Sequence, residues 1–269
     1  MKKTELTEYT VETEKFSEGF SGFKFALLSD LHSNCYKTDL HGLNRAIRAE
    51  MPDAVLIAGD MFNAHIKDKP QEVIAYLSAL AGHYPVFFAL GNHEYRMKIY
   101  TDIFGERYYD IRERLTKAGV VFLEDETVTL EKENERLMLS GLEIDMCFYK
   151  KTGGPKMGGG LADKHLGVPD TRFYNLLLAH NPDYFHRYAK WGADLTLAGH
   201  LHGGIVRIPR VGGVVSTTGF ILPKYDSGMY YYKNSLMLVS RGLGAHTLPI
   251  RINNRPELVM LKILAKNGL

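Results

Sequence analysis

"VLIAGDMFN", residues 55–63, is an apolar run that stops at a glycine and then delivers a carboxylate and, three residues on, a carboxamide. Four aliphatic residues without polar alternation read as a strand buried on both faces, as in a parallel sheet covered by helices. On one side of it, "LHGLNRAIRAEM" (40–51) has helical apolar spacing at Leu43, Ile47 and Met51, with Pro52 as a stop. On the other, "PQEVIAYLSALAG" (70–82) has proline at its start and glycine at its end. A buried strand between two helices is the repeating unit of an α/β sheet. "FKFALLS" (23–29) and "VFFALG" (86–91) supply further strands, and "YYDIRERLTKAG" (108–119) a third helix.

Further out the periodicity shortens. "LTEYTVETEKF" (6–16) alternates like an edge strand, and "VVFLEDETVTLEKENERLMLSGL" (120–142) reads as consecutive antiparallel strands turning at Lys132 to Asn134. Residues 150–167 form a Gly- and Lys-rich loop. Strand "YNLLLAH" (174–180), a helix from Asp183 to Lys190, strand "LTLAGH" (195–200) and short strands follow. The expected fold is α/β, a four-layer α/β/β/α sandwich of two mixed sheets packed face to face with helices outside, in one domain over residues 1–269.

The 269 residues suffice for a sizeable core, and 45% hydrophobic with 24% charged residues is a globular balance. A net charge of +2 argues against nucleic acid as the partner. Cys35 and Cys147 make no disulfide framework and fit a reducing compartment. No apolar run approaches the ~20 residues of a transmembrane segment, and "MKKTELTEYTVETEKF" has no apolar stretch behind its lysines. A cytoplasmic location is expected, which leaves peripheral membrane association open. Oligomeric state is not legible.

Five strand ends carry the same kind of residue. "LLSDLH" ends in Asp30 and His32, "VLIAGDMFN" in Asp60 and Asn63, and "VFFALGNHEY" in Asn92, His93 and Glu94. "LLLAHNP" ends in His180 and "LTLAGHLHGG" in His200 and His202. Gly59, Gly91 and Gly199 each precede a donor, where close backbone approach or φ > 0 is easy. Taken singly, Asp30 and Asp60 are turn residues and His180 a hydrogen-bonded core histidine. Together, five donor-bearing ends should collect at one edge of one sheet, where uncompensated polar groups are costly. A metal centre is the simplest compensation. Carboxylates, imidazoles and a carboxamide, with no cysteine in any motif, point to manganese, iron or zinc rather than calcium or an iron–sulfur cluster. Seven donors are too many for one catalytic ion with open positions; two ions sharing Asp60 fit better.

The ordered set D-L-H, G-D-M-F-N, G-N-H-E, H-N-P and G-H-L-H resembles the calcineurin-like metallophosphoesterases, over roughly residues 23–207. The tail, through "LPKYDSGMYY", "LVSRGLG" and "LPIRINNRPELVMLKI", resembles a bacterial phosphodiesterase branch whose members often carry an N-terminal membrane or export segment, not seen here. The resemblance implies that Asp30, His32 and His202 hold one ion, that Asn92, His180 and His200 hold the other, and that Asp60 bridges them. His93 is then a catalytic residue facing the substrate phosphate, oriented by Glu94 or Asp60.

The implied reaction is hydrolysis of phosphodiester or pyrophosphate bonds in a small-molecule or lipid-linked phosphoester. A hydroxide shared by the two ions attacks, and His93 protonates the leaving group or stabilises the transition state. A UDP-diacylglucosamine-type lipid nucleotide pyrophosphate is the alternative substrate, and a non-catalytic protein-binding scaffold the alternative function. Elsewhere, His41, His83 and His186 read as surface histidines. His65 could line the cleft, Lys150, Lys151, Lys156 and Lys164 could meet an anionic substrate, and Arg241 and His246 could reach the cleft from the second sheet. Cys35 reads as an ordinary thiol.

Overall fold

In the computed structural model the described residues are 4–33, 38–150, 155, 157–208, 212–215, 223–244 and 251–266. The first sheet contains β1 (Glu5–Thr13), β2 (Phe23–Leu28), β3 (Ala54–Ala58), β4 (Val86–Ala89), β5 (Val120–Leu123) and the late strand β14 (Glu257–Ala265), in the order β1-β14-β2-β3-β4-β5. The second contains β6 (Glu126–Lys132), β7 (Glu135–Gly141), β8 (Tyr174–Leu178), β9 (Leu195–Ala198), β12 (Gly228–Tyr232) and β13 (Ser235–Val239), in the order β12-β13-β9-β8-β7-β6. A small hairpin, β10 (Val206–Ile208) with β11 (Gly212–Val215), stands apart. In each large sheet a run of four parallel strands carries an antiparallel neighbour, so both are mixed.

The period of two along each strand sorts side chains between layers. Phe25, Leu27, Leu56 and Ala58 face inward and meet Leu139, Leu176, Leu178 and Leu197 of the other sheet. Their neighbours Ala26, Leu28, Val55 and Ile57 face outward onto α1 (Leu40–Glu50), α2 (Gln71–Ala81) and α5 (Arg107–Lys117), through Leu43, Ile47, Leu77 and Ile111. On the far side, α6 (Leu161–Leu166) and α7 (Phe185–Trp191) cover the second sheet through Ala162, Tyr188 and Trp191. The result is the expected four-layer α/β/β/α sandwich. Among the described residues no helix is long and apolar enough to cross a membrane.

Four local expectations are corrected. Met51 does not extend the buried face of α1: it is 76% exposed and caps the helix in the left-handed region, at φ 48°. In 120–142 only β6 and β7 are antiparallel, across a turn whose Glu133 and Asn134 both have positive φ, while β5 pairs in parallel with β4 in the other sheet. The chain changes sheets within Glu124–Asp125, too short a link for periodicity to register. The Gly- and Lys-rich segment contains α6, delimited by Gly160 and Gly167 at positive φ. Finally, the third donor motif itself opens α3 (Asn92–Ile99), which α4 (Thr101–Phe104) follows. Only Glu94 and Met97 of α3 are buried, so it has no apolar stripe to read.

Candidate metal centre

The donor-bearing ends come from both sheets: β2, β3 and β4 of the first, β8 and β9 of the second. This corrects the expected single sheet edge. Because β5 hands the chain directly to the second sheet, the carboxyl ends of both sets of parallel strands open at the same end of the sandwich. Backbone bonds between the ends lock the arrangement: Asp30 N–H donates to Gly59 O (3.0 Å), His32 N–H to Asp60 O (3.0 Å) and Gly199 N–H to His180 O (3.1 Å).

The local backbone is strained in a consistent way. Asp30, His32, Asp60, His200 and His202 all have φ between 51° and 74°, a region that costs a non-glycine residue energy. The glycines allow close approach. A Cβ on Gly91 would collide with the carboxylate and amide of Asp60, and one on Gly199 with the Asp30 carboxylate. These two glycines let backbone sit against carboxylates where any side chain would push them apart.

Six of the seven residues expected as ligands lie together, and the seventh, Asn92, opens α3. His32 Nε2 lies 3.0 Å from His202 Nε2 and 3.8 Å from Asp60 Oδ2. His202 Nε2 is 3.4 Å from Asp30 Oδ1, and His180 Nε2 is 3.1 Å from Asp60 Oδ2 and 3.8 Å from Asp30 Oδ1. Three overlapping groups have donor atoms within 4.8 Å of one another: Asp30, His32 and His202; His32, Asp60 and His93; and Asp60, His180 and His200. Asp60 belongs to two of them. Asp30, His32, Asp60, His180 and His202 are buried, and Asn92, His93 and His200 half-buried.

Electrostatics show how costly this cluster is without a cation. Burial pushes the Asp30 carboxyl up to about 6, helped by the neighbouring Asp60 charge and opposed by His180. Burial would raise Asp60 as well, but the imidazoles of His180, His93 and His32 outweigh it and hold Asp60 well below the usual range. His180 is pushed up to about 10: burial works against its charge, and the contacts with Asp60 and Asp30 win. A charged His180 imidazole compensates the two carboxylates in the way a cation would.

The donors fit that ion. Asn92 Oδ1 is buried with no hydrogen-bond partner. His180 Nδ1 lies 2.5 Å from Ala58 O, the backbone anchor that turns the other ring nitrogen of a histidine toward a metal. Among the described residues, the groups that could hold an ion here offer only N and O donors.

Three flanking residues were not legible in these roles. Glu94 is committed to backbone. Its carboxylate accepts the backbone N–H groups of Asp60 (2.9 Å), Phe62 (2.9 Å) and Gly91 (3.0 Å), splinting two donor motifs together, and burial with the nearby Asp60 charge pushes it up to about 7. His93 is positioned by Ala64 N–H, which donates to its Nδ1 (2.9 Å), and by its backbone N–H, which donates to Asp60 Oδ1 (2.9 Å). Arg251, buried, lies 3.4 Å from His202 Nδ1 and donates to Arg241 O (2.8 Å). Tyr149 stands edge-on to His200, ring centroids 5.0 Å apart, on a 3₁₀ turn over Met146–Tyr149. A G-N-H-E motif exposes the ligand half of such a site; carboxylate-to-backbone and cross-sheet contacts carry no spacing signal.

Of the other candidates, Arg241 pairs with Glu257 (2.8 Å). His65 lines a cavity beside His32. Lys150 and Lys164 are exposed, as are His41 and His83, and His186 is half-buried. Cys35, Lys151, Lys156 and His246 lie outside the described residues.

The Metallophos family model, described as calcineurin-like phosphoesterase, matches residues 23–204, about the span of the five motifs. The chain belongs to the calcineurin-like phosphoesterase family. It is therefore a metal-dependent phosphoester hydrolase. It is 27% identical to the uncharacterized metallophosphoesterase YkuE of Bacillus subtilis strain 168, over 98% of this chain and 86% of that protein. It is 27% identical to the phosphodiesterase YaeI of Escherichia coli K12, over 93% of this chain and 85% of the relative. In fold it is similar to TT1561 of Thermus thermophilus, with a TM-score of 0.51 at 12% identity, covering 83% of this chain and 91% of that one. Family membership explains why so many donors gather where the two sheets meet.

Proposed function

We propose that this chain, acting as one domain, hydrolyses phosphodiester or pyrophosphate bonds at a centre for two divalent ions bridged by Asp60. Asp30, His32 and His202 hold one ion; Asn92, His180 and His200 hold the other. The observation that supports this reading is the gathering of six of the seven donors into overlapping groups linked through His32 and Asp60. Bound there, the ions supply Lewis-acid polarisation of the phosphoryl oxygens and lower the pKa of a nucleophilic water.

The chain's own residues do the rest. Glu94 fixes Asp60 and the start of α3 through three backbone N–H groups, so the bridging carboxylate and Asn92 hold a constant separation. Ala64 N–H occupies Nδ1 of His93, so the neutral ring carries its proton on Nε2, on the side where its ring edge meets His32 at a centroid distance of 4.7 Å. That proton serves the phosphoryl oxygen or the leaving alkoxide. Burial pulls the His93 imidazole down, and Asp60 partly restores it.

The test is a Mn²⁺-supplemented assay comparing mono-, di- and pyrophosphate esters, with metal analysis of the same protein. Turnover of bis-p-nitrophenyl phosphate, abolished by chelation and restored by metal, is expected. Protein shown to hold both ions that cleaves no phosphoester would leave the scaffold reading in its place.

A further inference from the structure

Residues 251–257, RINNRPE, carry three buried polar side chains, Arg251, Asn254 and Glu257. Two of them hold the loop after β13. Arg251 donates to Arg241 O (2.8 Å) and to Gly244 O, and Glu257 accepts Arg241 N–H (2.9 Å). That loop lies directly on the first donor motif: Leu243 N–H donates to Ser29 O (3.0 Å) and Gly244 N–H to Asp30 O (2.7 Å). A Cβ on Gly242 would strike the Asp30 side chain, and one on Gly244 the backbone of Leu31.

Asn254 acts on the loop after β9. His202, Gly203 and Gly204 are buried, with φ of 53°, 66° and 81°. A run of left-handed residues turns its carbonyls away from any strand ladder, and buried carbonyls need donors. Side chains supply all three. Asn254 Nδ2 donates to His202 O (2.6 Å) and Gly204 O (2.5 Å). Arg207 Nη1 donates to Gly203 O (3.0 Å) while pairing with Asp226 (2.8 Å). Asn254 is 2% exposed, and its own Oδ1 is buried with no hydrogen-bond partner. An unpaired buried acceptor is costly, so an apolar residue would serve packing better. What the amide adds is a pair of N–H groups that grip the loop at His202 and two residues beyond it.

We propose that Asn254 is a positioning residue for His202, and through it for one ion of the centre and not the other. The inference rests on the two-ion reading above. Asp30, His32 and His202 are the ligands assigned to that ion, and the two loops held by residues 251–257 end on Asp30 and His202. The ligands of the other ion are anchored elsewhere: Asn92 opens α3, and His180 follows β8 with its Nδ1 against Ala58 O. His200 shares the loop with His202 but has its own tie, a backbone N–H donated to Asp30 Oδ1 (3.0 Å). Loss of the Asn254 bonds therefore loosens His202 in its left-handed turn and leaves Asn92, His180 and His200 in place.

The experiment dialyses the full chain, loaded with Mn²⁺, against graded chelator and measures metal per chain for wild type, Asn254→Ala and Asn254→Asp. Removing an outer partner of a metal ligand typically costs about 10–100-fold in affinity. One ion should leave either variant at free Mn²⁺ about 10–100 times higher than it leaves wild type, and the other ion at the wild-type point. Asn254→Asp keeps the side chain's size but sets an oxygen against the two carbonyls, so it should do no better than alanine. Between the two steps, electron paramagnetic resonance should show isolated Mn²⁺ in place of the spin-coupled pair. Phe16→Leu is the control for general destabilisation: it packs on Phe23 at the amino end of β2 and should lower Tm while both metal steps stay put. Arg207→Ala, at a half-buried side chain, should shift the same step by a smaller factor, and it decides the question if the Asn254 variants do not fold. Both steps shifting together, or neither shifting, overturns the inference. If wild type holds fewer than two ions, the two-ion reading fails by itself. A lone ion released about 10–100-fold more easily from Asn254→Ala then supports the positioning role, and a lone ion held as in wild type, or no ion, removes it.

Discussion

His93 has one ring nitrogen committed to Ala64 N–H and the other on the side of the metal cluster, which separates two roles that its place beside Asn92 leaves merged. His93→Ala should keep both ions while kcat falls about 10²–10⁴-fold, the usual contribution of a positioned acid. The loss should be smaller for p-nitrophenyl esters than for alkyl esters, whose leaving groups need a proton. Metal stoichiometry and kcat across leaving groups measure this. Loss of an ion would make His93 a ligand, as its grouping with His32 and Asp60 allows. Asp60→Ala should lose metal and activity together. At this scale the seven donors were legible because each ends an apolar strand, a position where a polar side chain needs a reason. Glu94 was legible only as a neighbour, since its three partners are backbone amides that tertiary folding brings to it.

Between elements, the second site of interest is Glu124, at the link where the chain leaves the first sheet. It accepts from Lys98 of α3 (2.7 Å) and from Tyr108 (2.6 Å) and Arg112 (2.5 Å) of α5, while Lys98 also reaches Glu143 (2.6 Å). Burial would raise Glu124, but these hydrogen bonds outweigh it and hold its carboxyl below the ordinary range. A carboxyl depressed by folding adds stability that is complete above its unfolded value, roughly 4.3, and is lost as pH falls through the folded one. Glu124→Gln should therefore cost about 1–3 kcal/mol at pH 7, and the gap to wild type should close progressively below about pH 4. Denaturant melts at pH 7 and pH 3 test this; a gap independent of pH would assign the loss to packing. The strands and the first, second and fifth helices followed from apolar period and from proline and glycine at their ends. The third helix did not, because a helix with Glu94 and Met97 as its buried residues has almost no pattern to detect. The sheet switch was missed for a different reason: two residues cannot signal a change of partner.

For the molecule as a whole, the cluster at the mouth of the sandwich is a local surplus of buried polar groups, and ions that bind only the folded chain should offset it. At a metal concentration of 100 Kd one site adds ~2.7 kcal/mol, so chelation should lower Tm by about 5–10 °C. Calorimetry with and without chelator checks this, and an unchanged Tm would mean that the donors hold no ion. The four-layer architecture was readable from the alternation of strands and helices, whereas the meeting of two sheets at the site was not, since strand order is a property of long-range pairing. That pairing bears on how the protein is made. β14 lies between β1 and β2, and its residue Glu257 bonds to Thr7 across 250 positions of sequence. A ribosome adding ~5–20 residues each second needs roughly 10–50 s to deliver the strand that belongs in that gap. Throughout that interval β1 waits for its partner, and β2, paired with β3, keeps one edge open. The strands of the second sheet all precede β14, so the seam closed last is the one where β14 enters between β1 and β2. A holdase that shields strand edges would act there.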